Sequence, residues 1–299
     1  MASRRSPTKR ARAGPLGSGL VLVCLTACAC ALDGCGNAPG ADMACNGHAE
    51  LCDRPFNEVA FASAHNAMSN QDDGWTLPNQ IHDMPTQLAE GVRVFLIDTH
   101  DYQGSTWLCH EFCELGKIPL VDALTTFRVF MDEHPNEVLA FVIENGISSA
   151  ETEAAFVASG LVKYVYVQPP GSHVWPTLRE MIIAGTRLLV MAETGHPPPP
   201  WYQYAYDLSW DTPYSFVTAA DFNCDLNRGS RDNDLFQINH WLSNPLSMPA
   251  NGELVNQFDI LWARVDGCRN ETGRFPNFIA VDYVDIGDLF RVVDRLNGF

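Results

Sequence analysis

Three apolar runs of strand length each stop on side chains that can ionise, bind a metal or take up a proton. AFASAHN over residues 60–66 ends on His65 and Asn66, GVRVFLIDTHD over 91–101 carries Asp98, His100 and Asp101, and VLAFVIEN over 138–145 reaches Glu144. A fourth piece, WLCHEFC at 107–113, sets His110 between two cysteines. Polar groups gathered at the ends of successive buried strands are what an α/β barrel places around its active mouth.

The rest of the chain reads as scaffold for that cluster. Strands are expected over 59–64, 92–97, 138–143, 164–167, 187–192, 235–238 and 278–281. Helical spacing falls between them at 84–90, 120–134, 152–159 and 177–184, with Gly160 and Gly185 placed to close the last two. Strands alternating with helices predict a parallel sheet. The polar strand ends favour its closure into a TIM-barrel-like single α/β domain. No glycine-rich phosphate loop follows the first strand, which argues against a nucleotide-binding fold. HPPPP at 196–200 forbids regular structure and predicts a surface loop. Residues 200–235 give no clear reading.

Charge narrows the partners. The chain has 19 basic and 36 acidic residues, net −17, and removing residues 1–34 leaves −21. Such a domain has no footprint for nucleic acid. It also repels an anionic phosphate unless a cation intervenes, so a divalent metal is expected.

The first thirteen residues are basic and 16–25 are apolar, a signal-peptide pattern too short for a membrane span. Leu25-Thr26-Ala27-Cys28 resembles a lipoprotein cleavage box, with Leu32-Asp33-Gly34-Cys35 as a second candidate. The expected organisation is a signal or lipoprotein segment at 1–35, a tether at 36–44 and the barrel at 45–299. Export is expected, either as a membrane-anchored lipoprotein or as a plainly secreted protein. Six cysteines remain beyond residue 35, an even number that reads as disulfides behind an export signal. Locality favours Cys45–Cys52 and Cys109–Cys113, leaving Cys224–Cys268; a zinc site is the rival reading, weakened by the lack of any CxxC pair.

His65 and His110 are suited to acid–base work: one imidazole takes a proton from an attacking hydroxyl while the other gives one to the leaving oxygen. Asn66, Asp98 and Glu144 supply oxygen ligands from three strand ends, which suits a hard cation such as calcium. Alone, each signal is weak, since a carboxylate after a strand is often a helix cap. Glu193 and His240 follow late strands and are candidates to line the mouth. Arg93 is expected to be structural, bonding to carbonyls at its strand's start. The seven tryptophans are expected to be core or rim packing.

The ordered series NEVAFASAHNAMS, WTLPNQ, QLAEGVRVFLIDTHDYQG, WLCHEFC, HPNEVLAFVIEN, LREMIIAGTRLLVMAETG and PNFIAVDY resembles the X-domain of phosphatidylinositol-specific phospholipases C. That family is a TIM-barrel-like phosphodiesterase group, and the likeness is greatest to its secreted or membrane-anchored plant-type members. The resemblance spans roughly residues 45–285. It implies His65 as general base, His110 as general acid, and Asn66, Asp98 and Glu144 as calcium ligands, with Asp282 orienting His65.

Two departures stand out. Leu96 occupies a position where calcium-dependent relatives often have a further carboxylate, and Glu111 follows His110 where glycine is common. His100 and Asp101 lie close enough in sequence to compensate and are candidate substrate contacts. The expected function is an exported phosphoric diester hydrolase acting on phosphatidylinositol-like lipids or related phosphodiesters, calcium-assisted and monomeric, meeting membranes through its lipid anchor. The alternatives are a glycerophosphodiester-type hydrolase and a surface lipoprotein that binds a ligand without turnover.

Overall fold

The computed structural model describes residues 43–195, 198–243 and 246–299. The signal segment, both lipidation candidates, most of the tether and His196-Pro197 of the HPPPP run lie outside the described residues.

The chain opens with strand β1 (Phe61–Ala64) and helix α1 (Met84–Glu90). α1 starts where the Asp83 carboxylate accepts the Thr86 amide at 2.9 Å and stops at Gly91, whose φ of 112° lies in the left-handed region. Strand β2 (Val94–Tyr102) is followed by two short antiparallel strands, β3 (Ser105–Leu108) and β4 (Ile118–Pro119), and then by α2 (Leu120–Glu133). β5 (Leu139–Gly146) leads to α3 (Ser149–Ser159). The predicted start of α3 at 152 was three residues late, because Ser148 and Glu151 form a capping box one turn earlier. Strand β6 (Val165–Tyr166), α4 (Leu178–Ala184) and β7 (Leu188–Ala192) follow. Thr177 is the cap of α4 rather than its first residue.

The stretch that gave no reading holds β8 (Tyr202–Tyr204), the single turn α5 (Ala205–Leu208), β9 (Ser209–Asp211) and β10 (Arg228–Gly229). β11 (Leu235–His240), α6 (Pro249–Val255), α7 (Phe258–Thr272), β12 (Phe278–Val281) and α8 (Leu289–Asn297) complete the chain.

Pairing runs β9–β11–β12–β1–β2–β5–β7–β8, parallel throughout. The sheet curls into a barrel left open between β8 and β9, where α5 bridges the gap. This is the expected TIM-barrel-like architecture. β6 pairs with the lower half of the same β7 edge that β8 takes higher up, so one barrel position is shared by two short pieces.

Alternation along each strand fixes what faces inward. Phe61, Val94, Leu96, Ala140, Val142, Leu189, Met191, Leu235, Phe278 and Ala280 fill the barrel. Their neighbours Ala62, Phe95, Ile97, Phe141, Val190, Ile238 and Val281 pack outward against Leu124, Phe127, Phe156, Leu261 and Val292 of the helices. The inner column therefore has an apolar floor. Following the same phase upward, the inward positions become His65, Asp98, Glu144, Glu193, Asp211, Asn239 and Asp282. The chemistry at the mouth is a consequence of parity.

Three disulfides join Cys45–Cys52, Cys109–Cys113 and Cys224–Cys268, the pairing that locality suggested. Arg93 is structural as expected: its guanidinium donates to the Leu88 and Val92 carbonyls and pairs with Glu137 at 2.7 Å.

Candidate active site

His65 is the first residue past β1, and its backbone amide still bonds to the Val281 carbonyl of the neighbouring strand at 3.0 Å. Nδ1 of its ring donates to Asp282 Oδ1 at 2.7 Å. Asp282 is buried and is itself held by Asn79 Nδ2 at 3.2 Å and Ser247 Oγ at 2.7 Å. Gln80 ties the two strand ends together: its amide donates to the His65 carbonyl at 2.7 Å and accepts from the Val284 amide at 3.0 Å. With Nδ1 committed to Asp282, Nε2 is the nitrogen left to exchange protons.

His110 reaches the same cavity by a different route. It is carried by the hairpin β2–β3 that folds back over the barrel, not by a barrel strand's end. The Cys109 amide bonds to the Asp98 carbonyl at 3.2 Å, and the Cys109–Cys113 disulfide closes the loop around the histidine. Burial lowers the His110 pKa, and the charge of His65 pushes it the same way; Glu111, Asp282 and Glu144 oppose this. The imidazolium is thus a stronger acid than an exposed one.

Asn66, Asp98, His100, His110, Glu111, Glu144, Trp241, Ser247 and Asp282 line one lobe of the mouth with His65. Glu193, Arg228, Gln237 and Asn239 line a second, deeper lobe that shares His65, Asn66, Asp98 and Glu144 with the first. Burial pushes the Asp98 carboxyl well above the ordinary carboxylate range, and Glu144, Glu193 and Glu111 add to the shift. Asn66 together with Asp98 and Glu144 is a set of hard oxygen donors around uncompensated negative charge, which fits calcium. Among the described residues no three His, Cys, Asp or Glu side chains are grouped to hold a metal, so the set rests on two carboxylates and an amide. Leu96 lies one inward position below Asp98 and brings no third carboxylate.

Two candidate contacts are corrected. His240 is fully buried, and its Nε2 meets the Val255 carbonyl at 2.9 Å outside the barrel. It sits one residue out of phase with the inward Asn239 and Trp241, so it cannot line the mouth. Asp101 is likewise out of phase with Asp98 and His100; it is exposed and accepts the Gly104 amide at 3.0 Å in the hairpin turn. His100 and Glu193 do line the mouth.

Sequence reasoning missed Arg228 and treated Trp241 as packing. Arg228 pairs with Glu193 at 2.8 Å and with Asp211 at 2.6 Å, and its guanidinium lies 4.8 Å from the Tyr206 ring centre and 5.1 Å from that of Tyr214. Burial works against its charge, but Glu193 and Asp211 outweigh that and raise its pKa. Trp241 stacks on the His65 imidazole, with ring centres 3.8 Å apart and planes 7° apart. The signal for β9 was present in SWD at 209–211, a short run ending on a carboxylate like the other barrel strands; nothing in sequence marks Arg228.

The sequence profile of the PI-PLC X family (PI-PLC X 1) matches residues 51–297. The chain belongs to the PI-PLC X-domain family. One PI-PLC X-domain relative, the PI-PLC X domain-containing protein 1 of Arthroderma benhamiae, is 31% identical over 289 residues, covering 86% of this chain and 90% of its own. An uncharacterised secreted protein of the same fungus is 30% identical over 285 residues, covering 85% of this chain; this chain spans 64% of that relative's length. Among solved structures, a phosphatidylinositol-specific phospholipase C of Staphylococcus aureus superposes with a TM-score of 0.57 at 14% identity, covering 81% of this chain and 94% of its own. At that identity the likeness speaks for the X-domain barrel alone.

Proposed function

We propose that this X-domain protein is an exported phosphoric diester hydrolase acting on phosphatidylinositol-like lipids. The reading rests above all on the His65 Nδ1–Asp282 contact of 2.7 Å, with His110 lining the same cavity. His65 Nε2 takes the proton of a hydroxyl on the substrate's own polyol, whose oxygen attacks phosphorus. Asp282 stabilises the imidazolium that results. His110 gives its proton to the leaving oxygen, so a cyclic phosphate and diacylglycerol depart and the two histidines exchange roles for any later hydrolysis. Calcium held by Asn66, Asp98 and Glu144 would supply positive charge to the phosphoryl oxygens. His100 and Glu193 would contact the head group.

Export is supported by the three disulfides and by the secreted fungal relative. Anchoring through Cys28 or Cys35 would place the enzyme at a membrane surface as a monomer.

The test is release of a cyclic inositol phosphate from phosphatidylinositol, with calcium and with chelator, by the wild type and by His65→Ala and His110→Ala. Each substitution is expected to cost about 10²–10⁴-fold in rate. Turnover that survives chelation would return Asp98 to a structural role. No turnover on this lipid or on other phosphodiesters, glycerophosphodiesters included, would leave a ligand-binding protein.

A further inference from the structure

We propose that Trp241 is a positioning residue for His65: its indole fixes the plane of the imidazole so that Nε2 is aimed into the mouth. The inference rests on the proposed role of His65 and extends it to a residue that takes no part in proton transfer.

A single hydrogen bond at Nδ1 leaves the imidazole able to swivel about the line joining it to Asp282. The stack removes that freedom. With ring centres 3.8 Å apart and planes 7° apart, the indole lies flat against one face of the imidazole. The hydrogen bond acts in the ring plane and the stack acts perpendicular to it, so together they fix orientation in both senses.

Trp241 is itself well held. It is only 7% exposed, follows β11 directly, and takes the inward phase of Gln237 and Asn239. Its other neighbour, Tyr214, lies 6.5 Å away with planes 23° apart, and Arg228 stands over Tyr214 in turn. A row of planar groups therefore runs from the Arg228 guanidinium to the imidazole. Nε2 accepts a proton in the plane of the ring, so the reacting hydroxyl must approach at the ring's edge, which a stack on the face leaves open.

The experiment compares Trp241→Leu, which keeps apolar bulk but loses the flat ring, with Trp241→Phe, which keeps a flat ring. Kinetics on phosphatidylinositol vesicles are read alongside the rate at which diethyl pyrocarbonate labels His65, followed by mass spectrometry of its peptide. The expected result is a kcat about tenfold lower for Trp241→Leu with KM little changed, most of that loss recovered by Trp241→Phe, and faster labelling of His65 in Trp241→Leu alone. The double variant Trp241→Leu/Asp282→Asn should lose less than the product of the two single losses, since both act through one ring.

Equal loss for Leu and Phe, a loss confined to KM, or labelling unchanged from wild type would each overturn the proposal. If the wild type turns over no phosphodiester, the functional reading fails, and the labelling rates alone decide the role of Trp241.

Discussion

Asn66, Glu111 and Tyr283 are the residues directly after His65, His110 and Asp282, and all three have positive φ, at 45°, 53° and 54°. A side chain in that region costs on the order of 1 kcal/mol, and such conformations gather at functional sites. Each turns the chain sharply, so the preceding side chain stands at the tip of its strand or hairpin. Glu111→Gly relieves one of these positions and removes a carboxylate that holds the His110 pKa up. His110 must carry its proton to act as acid, so lowering its pKa further should start the alkaline decline of kcat at lower pH. A pH–rate profile of the two proteins checks this, and an unmoved decline would mean another group governs that limb. Asp282→Asn keeps an acceptor for Nδ1 but loses the charge that stabilises the imidazolium; kcat should fall by roughly 10–10³-fold, with Ser247→Ala costing far less. At this scale the sequence was readable wherever a residue of the mouth ends an apolar run, as His65, Asp98 and Glu144 do. It misled at Asp101 and His240 because adjacency along a strand says nothing of facing. It was silent on Arg228 because ion pairs across a barrel leave no local pattern.

The elements that carry the site were legible in unequal measure. β12 and α1 match the predicted ranges, and β2 and β5 were found but run several residues further, because their pairing continues past the barrel's rim through Asp98↔Glu144 to His100↔Gly146. α8 was missed although Leu289, Val292, Val293 and Leu296 keep the helical spacing of a buried stripe. The segment from β8 to β10 was illegible for a better reason: its strands are three or two residues long, too short to show alternation, and exist by pairing with β7, β11 and one another. Gly229 shows how tightly they are set. It has φ of +84°, and a Cβ there would come within 2.3 Å of the Ser209 carbonyl oxygen. Gly229→Ala should therefore destabilise the fold by about 2 kcal/mol or more in denaturant unfolding, and should weaken substrate binding by displacing Arg228 from Glu193, a proposed head-group contact. β11 carries a pH liability on its outer face. Burial pushes the His240 pKa down from 6.5 to about 3. Between those values the unfolded chain binds a proton that the folded one does not, so stability falls as pH drops below about 6.5, by up to a few kcal/mol. Melting temperatures from pH 7 to pH 4 should show this acid loss, and His240→Gln, which keeps a donor for the Val255 carbonyl, should flatten it.

For the whole molecule, the predictions concern charge and the proposed calcium. Calcium bound only by the folded state should raise stability by about 2.7 kcal/mol at a hundredfold excess over its dissociation constant. Thermal melts with calcium and with chelator measure the effect, and Asp98→Asn should abolish it; a calcium-insensitive wild type would mean that no such site operates. With net −17 on the chain, anionic vesicles are repelled at long range, so turnover on them should rise as ionic strength goes from low values to about 0.15 M. The barrel as a class was readable because strands and helices alternate, whereas its open seam between β8 and β9 was not. The sheet order holds one more consequence, and it concerns time. β1 lies between β2 and β12, pairing with residues 278–281 at the far end of the chain, and Asn297 of α8 bonds through its amide to both backbone groups of Ala60. A growing chain therefore carries His65 long before it carries Asp282, and the strand that bears the first cannot be flanked until the second has been synthesised. On the proposed reading, a chain that stops short of Asp282 lacks both the strand beside β1 and the partner of His65, so it should neither fold nor turn over substrate.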